Sequence, residues 1–477
     1  MPGAALPRRG LLRWLLVGFA FIAGPVAGLA QDIPQPLIAE FQRAALPASA
    51  LAVYVAPLDA GPPTIAYNSR APMNPASTMK LVTTYASLEY LGPAFTWKTG
   101  VYVDAPVDNG VLSGDLIIRG GGDPHLTEAD LWALLREVRL RGVLEVRGDI
   151  VIDRSVFAPI ANDPGQFDNE PSRAYNAAPD GFLVNFDATS IYFVPDPSHR
   201  RVNVFAEPEL AGQSVGAPRL TEEPCGDWRQ RLGLDTSNPA HLSFTGSYPL
   251  SCGEKILNVS LYAARDYDAA LVAALWHGVG AKLDGVVRDG QGAANPHFLA
   301  EHLSDPLAVQ LYDMNKFSNN VMARNVFLTL AAESGRTPAT PQGAALIVKR
   351  LLGERGIDVS GLELENGSGL SRLERISAAT LGSVLVAAWH SPNMPEFFAS
   401  LPVVGTDGTM RNRLRSDGVA GHAHIKTGSL ADARAIAGYV DAASGRRYVV
   451  VCLVNDPQAE RARGFQDALL NWVFSNG

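Results

Sequence analysis

The sequence predicts an α/β domain interrupted along the chain by a mostly β segment, and three observations carry that reading. Near the start, ALAVYVAPLD and TIAYNS form two apolar runs joined through Gly-Pro-Pro, a hairpin signature, and a helical pattern follows from Ser77 to Leu91. At the other end, HAHIKTG, ARAIAGYV and RRYVVVCLV read as strands before an amphipathic closing helix, QAERARGFQDALLNWVF. Between them, from about residue 97 to 290, short strand candidates follow one another with turn residues at close intervals.

Taken in order, Arg8, Arg9 and Arg13 precede the apolar stretch LLVGFAFIAGPVAGLA, and Gly28 and Ala30 offer small side chains before Gln31. Residues 1–30 therefore read as an export signal, with the mature chain in the periplasm; Pro25 breaks the apolar run, which argues against a membrane anchor. The adjacent arginines leave the export route open. The helix after Pro75 carries Leu81, Tyr85 and Leu88 at helical spacing, ends at Gly92-Pro93, and holds Ser77 in its first turn.

The middle segment offers DLIIRG, VRGDIVID, SIYFVPD, RVNVFAE and ILNVSLY as strands and one helix, TEADLWALLREVRLRG. Gly120 to Gly122 read as a turn, because the Lys and Ser/Thr of a phosphate-binding loop are missing. Export permits disulfides, and Cys225 and Cys252, which flank HLSFTGSY, are expected to pair. Cys452, inside YVVVCLV, reads as a packed free thiol. Beyond residue 300, Met322, Val326 and Leu330 recur at four-residue spacing, which places Ser318-Asn319-Asn320 at a helix start.

A chain of 477 residues exceeds one ordinary core, so two or three domains are expected. An apolar fraction of 47% with 18% charged residues describes a soluble globular protein, and a net charge of -8 argues against a nucleic-acid partner. Lysine is scarce, with seven against 33 arginines, yet two lysines stand in Ser77-Thr78-Met79-Lys80 and Lys426-Thr427-Gly428. Arginine keeps its proton at physiological pH, whereas a buried lysine can lose it.

Residues three apart on a helix share a face, so Lys80 can lie beside Ser77 and act as the base a serine hydroxyl needs to become a nucleophile. The spacing alone is weak: about 0.4 Ser-x-x-Lys matches arise by accident, against about 0.03 for Lys-Thr-Gly. Ser-x-Asn is weaker still, and Ser391-Pro392-Asn393, a second copy, reads as a loop. On residues alone, Ser77 is also a plausible helix N-cap beside a solvated Lys80, and Ser318 a plausible N-cap. The order Ser77, Ser318, Lys426 makes the combination informative. His422 and His424 share a strand face, but no third ligand is evident, so no metal site is read there.

These three motifs are the set found in penicillin-binding proteins and β-lactamases. With NPASTMKLVTTYASLEYLGP, GGGDPHLT, YNAAPDGFLVNFD, MNKFSNNVMARNVF, NGSGLSR, SLPVVGTDGTM and KTGSLADARAIAGYV, the chain resembles the DacB-type penicillin-binding proteins, the low-molecular-mass class C serine D-alanyl-D-alanine carboxypeptidase/endopeptidase family. The resemblance implies a β-lactamase/transpeptidase-like domain, an antiparallel sheet flanked by helices, at 31–96 and 291–477. It also implies a mostly β accessory domain at 97–182 and 263–290, with another nested at 183–262.

By the same resemblance Ser77 is the acylated nucleophile, Lys80 its base, Ser318 a proton relay, and Asn320 a contact to the substrate amide. Lys426 supplies positive charge to the substrate carboxylate and helps keep Lys80 neutral; Thr427 hydrogen-bonds that carboxylate. Gly428 belongs to the same substrate-binding strand, and the N–H groups of Ser77 and Ser429 form the oxyanion hole. Peptidoglycan stem peptides are the implied substrate, β-lactams the implied covalent inhibitors, and no cofactor is implied.

Asn319 and Asn366 stand where relatives carry Asp. Arg372 is an implied substrate contact, and Glu170 is either the acidic contact to the amino end of the stem-peptide side chain or a solvated loop carboxylate. Two rival readings are a β-lactamase or esterase built on the same motifs, told apart by sustained turnover of a cephalosporin, and a catalytically silent peptidoglycan-binding protein, which a labelled penicillin would not modify.

Overall fold

A continuous apolar strand needs cover on both faces, and Arg447–Asn455 finds it at the centre of the molecule. The computed structural model describes residues 33–59, 61–160 and 163–477; the expected export signal lies outside them. In the central five-stranded sheet the order is Ile65–Tyr67, Leu51–Pro57, Arg447–Asn455, Ala433–Asp441 and Ala423–Leu430, every neighbouring pair antiparallel. Successive side chains point to opposite faces. Val449, Val451 and Leu453 therefore pack with the helices Lys80–Leu91, Asn320–Glu333 and Ala378–Trp389, while Val450, Cys452 and Val454 pack with Gln35–Arg43 and Arg463–Asn476. Cys452 is a buried free thiol.

The chain leaves this sheet after Leu91 and builds a second five-stranded sheet, ordered Val287–Asp289, Ile150–Asp153, Leu116–Arg119, Lys98–Val103 and His297–Leu303. The strand His297–Leu303 pairs with Lys98–Val103, which moves the expected return from residue 291 to about Ser304. Two helices cover this sheet, Glu128–Leu140 and Ala264–Gly278. The second corrects the expectation of a single helix in this region, and its Tyr267, Leu271, Val272 and Leu275 form the buried face. A short helical turn, Trp228–Leu232, is a further addition. A third layer carries the antiparallel strands Arg201–Glu207, Thr189–Asp196 and Lys255–Val259. Its core includes the disulfide Cys225–Cys252. The stretch HLSFTGSY is two strands broken at Thr245-Gly246. Among the described residues no helix is long and apolar enough to cross a membrane.

Arg154 ties the insertion together. Its guanidinium pairs with Asp180 at 2.7 Å, Asp268 at 2.8 Å and Asp289 at 2.9 Å, joining the outgoing strand region to the helix and strand of the return. Burial pushes the Asp268 carboxyl well above its usual range, the nearby Asp187 adds to the rise, and Arg154 opposes it.

Removing one partner of a buried charge network costs about 3–5 kcal/mol. Arg154→Ala is therefore expected to lower the unfolding free energy by about that amount at pH 7.5, measured by urea titration. Without the arginine the folded Asp268 and Asp180 values lie further above their unfolded values; such groups stabilise below the unfolded pKa and lose that contribution as pH rises. The deficit is thus expected to shrink toward pH 4.5, and a pH-independent deficit would contradict this account of the network.

Candidate active site

The turn that carries Ser77 is squeezed between two glycines. Asn74 Oδ1 accepts the Ala76 N–H at 2.9 Å, Ala76 adopts a φ of 46°, and Ala76–Met79 forms a single 3-10 turn before the α-helix begins at Lys80. Ser77 therefore sits one tight turn ahead of the α-helix rather than within its first turn. On one side, a Cβ added at Gly428 would lie 2.8 Å from Pro75 O and 2.9 Å from Ser77 N. On the other, a Cβ at Gly369, where φ is 82°, would lie 1.9 Å from Ala76 O. Only backbone fits at either position, which brings the Lys-Thr-Gly strand and the Asn-Gly-Ser-Gly loop into contact with the nucleophile.

Lys80 is fully buried, and its Nζ has three partners: Asn320 Oδ1 at 2.6 Å, Ser368 O at 2.6 Å and Ser77 Oγ at 3.1 Å. Two of the three can only accept. A neutral amine satisfies them with its two hydrogens and turns its lone pair to the third partner, a hydroxyl able to donate. Burial first, then the positive charge of Lys426, pull the Lys80 pKa well below the ordinary lysine value; Glu374 opposes the fall and Arg324 adds to it. The electrostatics favour a neutral Lys80, and the geometry lets its lone pair face Ser77.

Asn320 reaches Lys80 because it opens the helix Asn320–Glu333. The N-cap is Asn319, whose Oδ1 accepts from Val321 N at 3.0 Å and Met322 N at 3.1 Å. An N-cap needs an acceptor oxygen, which Asn supplies without the charge of Asp. Ser318 is therefore not the cap; it stands at a φ of 58°, a left-handed position that costs about 1–3 kcal/mol for a residue other than glycine. That strain leaves its hydroxyl 2.7 Å from Lys426 Nζ.

Lys426 is also fully buried, and its Nζ donates to Ser318 Oγ and, at 2.9 Å, to Thr427 O. Burial lowers its pKa to about 7, so its charge is partial near neutrality until an anion is bound. Its strand is the open edge of the sheet. Ile425 N donates outward to Pro402 O at 2.7 Å, and alternation carries the N–H groups of Thr427 and Ser429 to the same edge. Thr427 Oγ1 donates to Thr409 Oγ1 at 2.8 Å, and the loop holding Thr409 is anchored by a 2.7 Å ion pair between Lys316 and Asp407.

Ser77, Lys80, Ser318, Asn320, Lys426, Thr427, Gly428 and Ser429 thus converge from three separate segments. Arg372 flanks this group: it pairs with Asp432 at 2.6 Å and lies 4.5 Å from the centre of the Phe167 ring. Glu170 is half exposed and pairs with Arg173 at 3.3 Å, and no described hydrogen bond joins it to the nucleophile turn. Ser391 and Asn393 bind Glu89 and Leu88 at the far end of the Lys80 helix, away from Lys80 itself. Sequence reasoning missed Ser368, whose contribution is a backbone carbonyl, and Thr409, Arg324 and Glu374, which belong to no spaced motif. A cleft of about 1090 Å³ opens beside Ser318 and Asn320 and runs to Trp132, Tyr192 and Ile256 of the insertion.

Comparison with known proteins matches residues 35–475 to the D-Ala-D-Ala carboxypeptidase 3 (S13) family. The chain is 30% identical over 407 residues to the D-alanyl-D-alanine carboxypeptidase DacB of Haemophilus influenzae, covering 82% of each chain. It is 32% identical over 396 residues to a D-alanyl-D-alanine carboxypeptidase of Actinomadura, covering 78% of this chain and 71% of the other. The crystal structure of penicillin binding protein 4 (dacB) from Haemophilus influenzae superposes with a TM-score of 0.78 at 26% identity, over 92% of this chain and 99% of that one. The same protein complexed with a novel β-lactam superposes at 0.73 and 25% identity, over the same shares of the two chains.

The depressed Lys426 value has a consequence for stability. Its unfolded value is about 10.4, so unfolding takes up a proton between that pH and about 7. Stability present above the unfolded value is lost as pH falls toward the folded one. Lys426→Met is expected to be more stable than the parent at pH 7 by thermal melting, with a smaller rise in stability between pH 7 and 9.5. A variant less stable at pH 7 would contradict this.

Proposed function

The chain belongs to the D-Ala-D-Ala carboxypeptidase 3 (S13) family, and from that premise we propose that it is an exported serine DD-carboxypeptidase that also cleaves D-alanyl cross-links in peptidoglycan. The observation that carries the proposal is the buried Lys80 amine held by two carbonyl oxygens and turned toward Ser77 Oγ.

In this reading Lys80 takes the Ser77 proton as Oγ attacks the carbonyl of the penultimate D-alanine. The stem peptide lies along the open edge of the Lys-Thr-Gly strand as an added β-strand. The N–H groups of Ser77 and Ser429 receive the developing oxyanion, a contribution of several kcal/mol when donors are preorganised. Thr427 holds the terminal carboxylate and Lys426 balances its charge. Ser318, bonded to Lys426, relays the proton to the departing amine. D-Alanine leaves from a pentapeptide, or the amine of a neighbouring strand leaves from a cross-link, and water releases the acyl group. The cleft running from Ser318 toward Trp132 and Ile256 supports the second substrate, since it offers room for a neighbouring strand. Asn320 takes one Lys80 hydrogen and is placed to meet the substrate amide. Arg372, beside Phe167, borders the same mouth and serves as a contact to the stem-peptide side chain, with Glu170 on the neighbouring loop. A β-lactam carries the same acyl donor in a strained ring, so it acylates Ser77 and stays.

Purified protein incubated with disaccharide pentapeptide is expected to release D-alanine, and with a cross-linked dimer to release monomers, both read by mass spectrometry. Ser77→Ala is expected to abolish both, and unchanged activity in that variant would sink the mechanism. Because arginine cannot give up its proton, Lys80→Arg is expected to slow penicillin acylation by about 10²–10⁴-fold. Lys426→Arg, which keeps a positive charge, is expected to retain more. Equal losses would contradict the separate roles.

A further inference from the structure

Glu374 is a fully buried carboxylate that no motif predicts. It stands just before Ile376–Ser377, which pairs with Pro72–Met73 on the approach to the nucleophile turn. Its Oε1 accepts three consecutive backbone N–H groups, from Glu365 at 3.3 Å, Asn366 at 3.0 Å and Gly367 at 2.8 Å. The next residue, Ser368, supplies one of the two carbonyl oxygens that bind Lys80. The other oxygen of Glu374, Oε2, is buried with no hydrogen-bond partner among the described residues. An ionised oxygen in that position is costly unless its charge acts on something nearby.

Two basic groups feel its charge: Lys80, which opens its helix, and the half-buried Arg324 of the helix Asn320–Glu333, whose Nε is buried with no hydrogen-bond partner among the described residues. Glu365 adds a second carboxylate, bound to the Ser371 hydroxyl on the outer side of the loop. Asn366, which stands where Asp is usual, spends its Oδ1 on Ser368 N and Oγ and brings no charge. Glu374 is therefore the carboxylate that faces this loop backbone from the buried side, while Glu365 is exposed.

We propose that Glu374 is a positioning residue of the reaction: it clamps the 365–367 backbone so that Ser368 can bind Lys80, and its charge keeps the Lys80 amine basic enough to deprotonate Ser77. The assignment rests on the acyl-enzyme reading above. Burial, Lys426 and Arg324 all weaken Lys80 as a base, and Glu374 acts in the opposite direction. A base whose pKa falls too far loses driving force for proton abstraction.

The test is the rate of benzylpenicillin acylation of the purified full chain from pH 5 to 10, read by intact mass, with melting curves to verify folding. Glu374→Gln keeps an acceptor for the N–H groups and removes the charge; its acid limb is expected to move down by about one pH unit, with a several-fold lower plateau. Glu374→Asp keeps the charge but shortens the reach; its limb is expected to stay within about 0.3 unit while the rate falls. An unmoved limb in Glu374→Gln, or equal limb shifts in both variants, would overturn the proposal while leaving the acyl-enzyme reading intact. No acylation of the parent chain would overturn both.

Discussion

A primary amine buried beside two carbonyl oxygens and one hydroxyl is the constraint on which this active site depends. Lys80 can satisfy all three partners in the neutral form with a single orientation, and that orientation aims its lone pair at Ser77. Every neighbouring segment contributes to it. The helix Lys80–Leu91 supplies the amine, Asn320 opens the helix that supplies one acceptor, and the Asn-Gly-Ser-Gly loop supplies the other. The Lys-Thr-Gly strand closes the arrangement by placing a second buried lysine nearby and pressing a glycine backbone against Ser77.

Such a site is held against its own energetics. Two lysines without exposed surface, a left-handed Ser318 and a half-satisfied Glu374 each oppose folding locally. The opposing terms lie in the central sheet, where Arg447–Asn455 is covered on both faces, and in the helices that bury Leu81, Val82, Tyr85 and Leu88 directly behind the lysine. The core is therefore also a positioning device: it fixes the helix from which Lys80 projects. The insertion has its own core and its own ion-pair hub at Arg154, and it supplies one wall of the cleft beside Ser318.

Much of this was legible in the sequence because it depends on residue type at fixed spacing. Ser77 and Lys80 are one helical turn apart, Lys-Thr-Gly is rare by chance, and YVVVCLV is continuous because both of its faces are buried. What escaped depends on long-range contact. Ser368 acts through a carbonyl that any residue would have, Glu374 acts through backbone N–H groups on the preceding residues of its own loop, and Thr409 meets Thr427 only in the fold. The helix Ala264–Gly278 contains LVAALW, a run equally suited to a buried strand, and His297–Leu303 belongs to the insertion only because Lys98–Val103 pairs with it. The 3-10 turn at Ser77 packs against the backbone of Gly369 and Gly428, contacts that no local pattern in residues 74–80 announces.

The scarcity of lysine gives the central claim a direct test. With seven lysines in the chain, selective ¹³C labelling of their ε-carbons yields a spectrum in which each can be followed through a pH titration. The account predicts that one resonance, identified by its loss in Lys80→Arg, already reports a neutral amine at pH 7 in the free enzyme. A Lys80 resonance that stays protonated until it titrates near the ordinary lysine value of about 10.4 would contradict it.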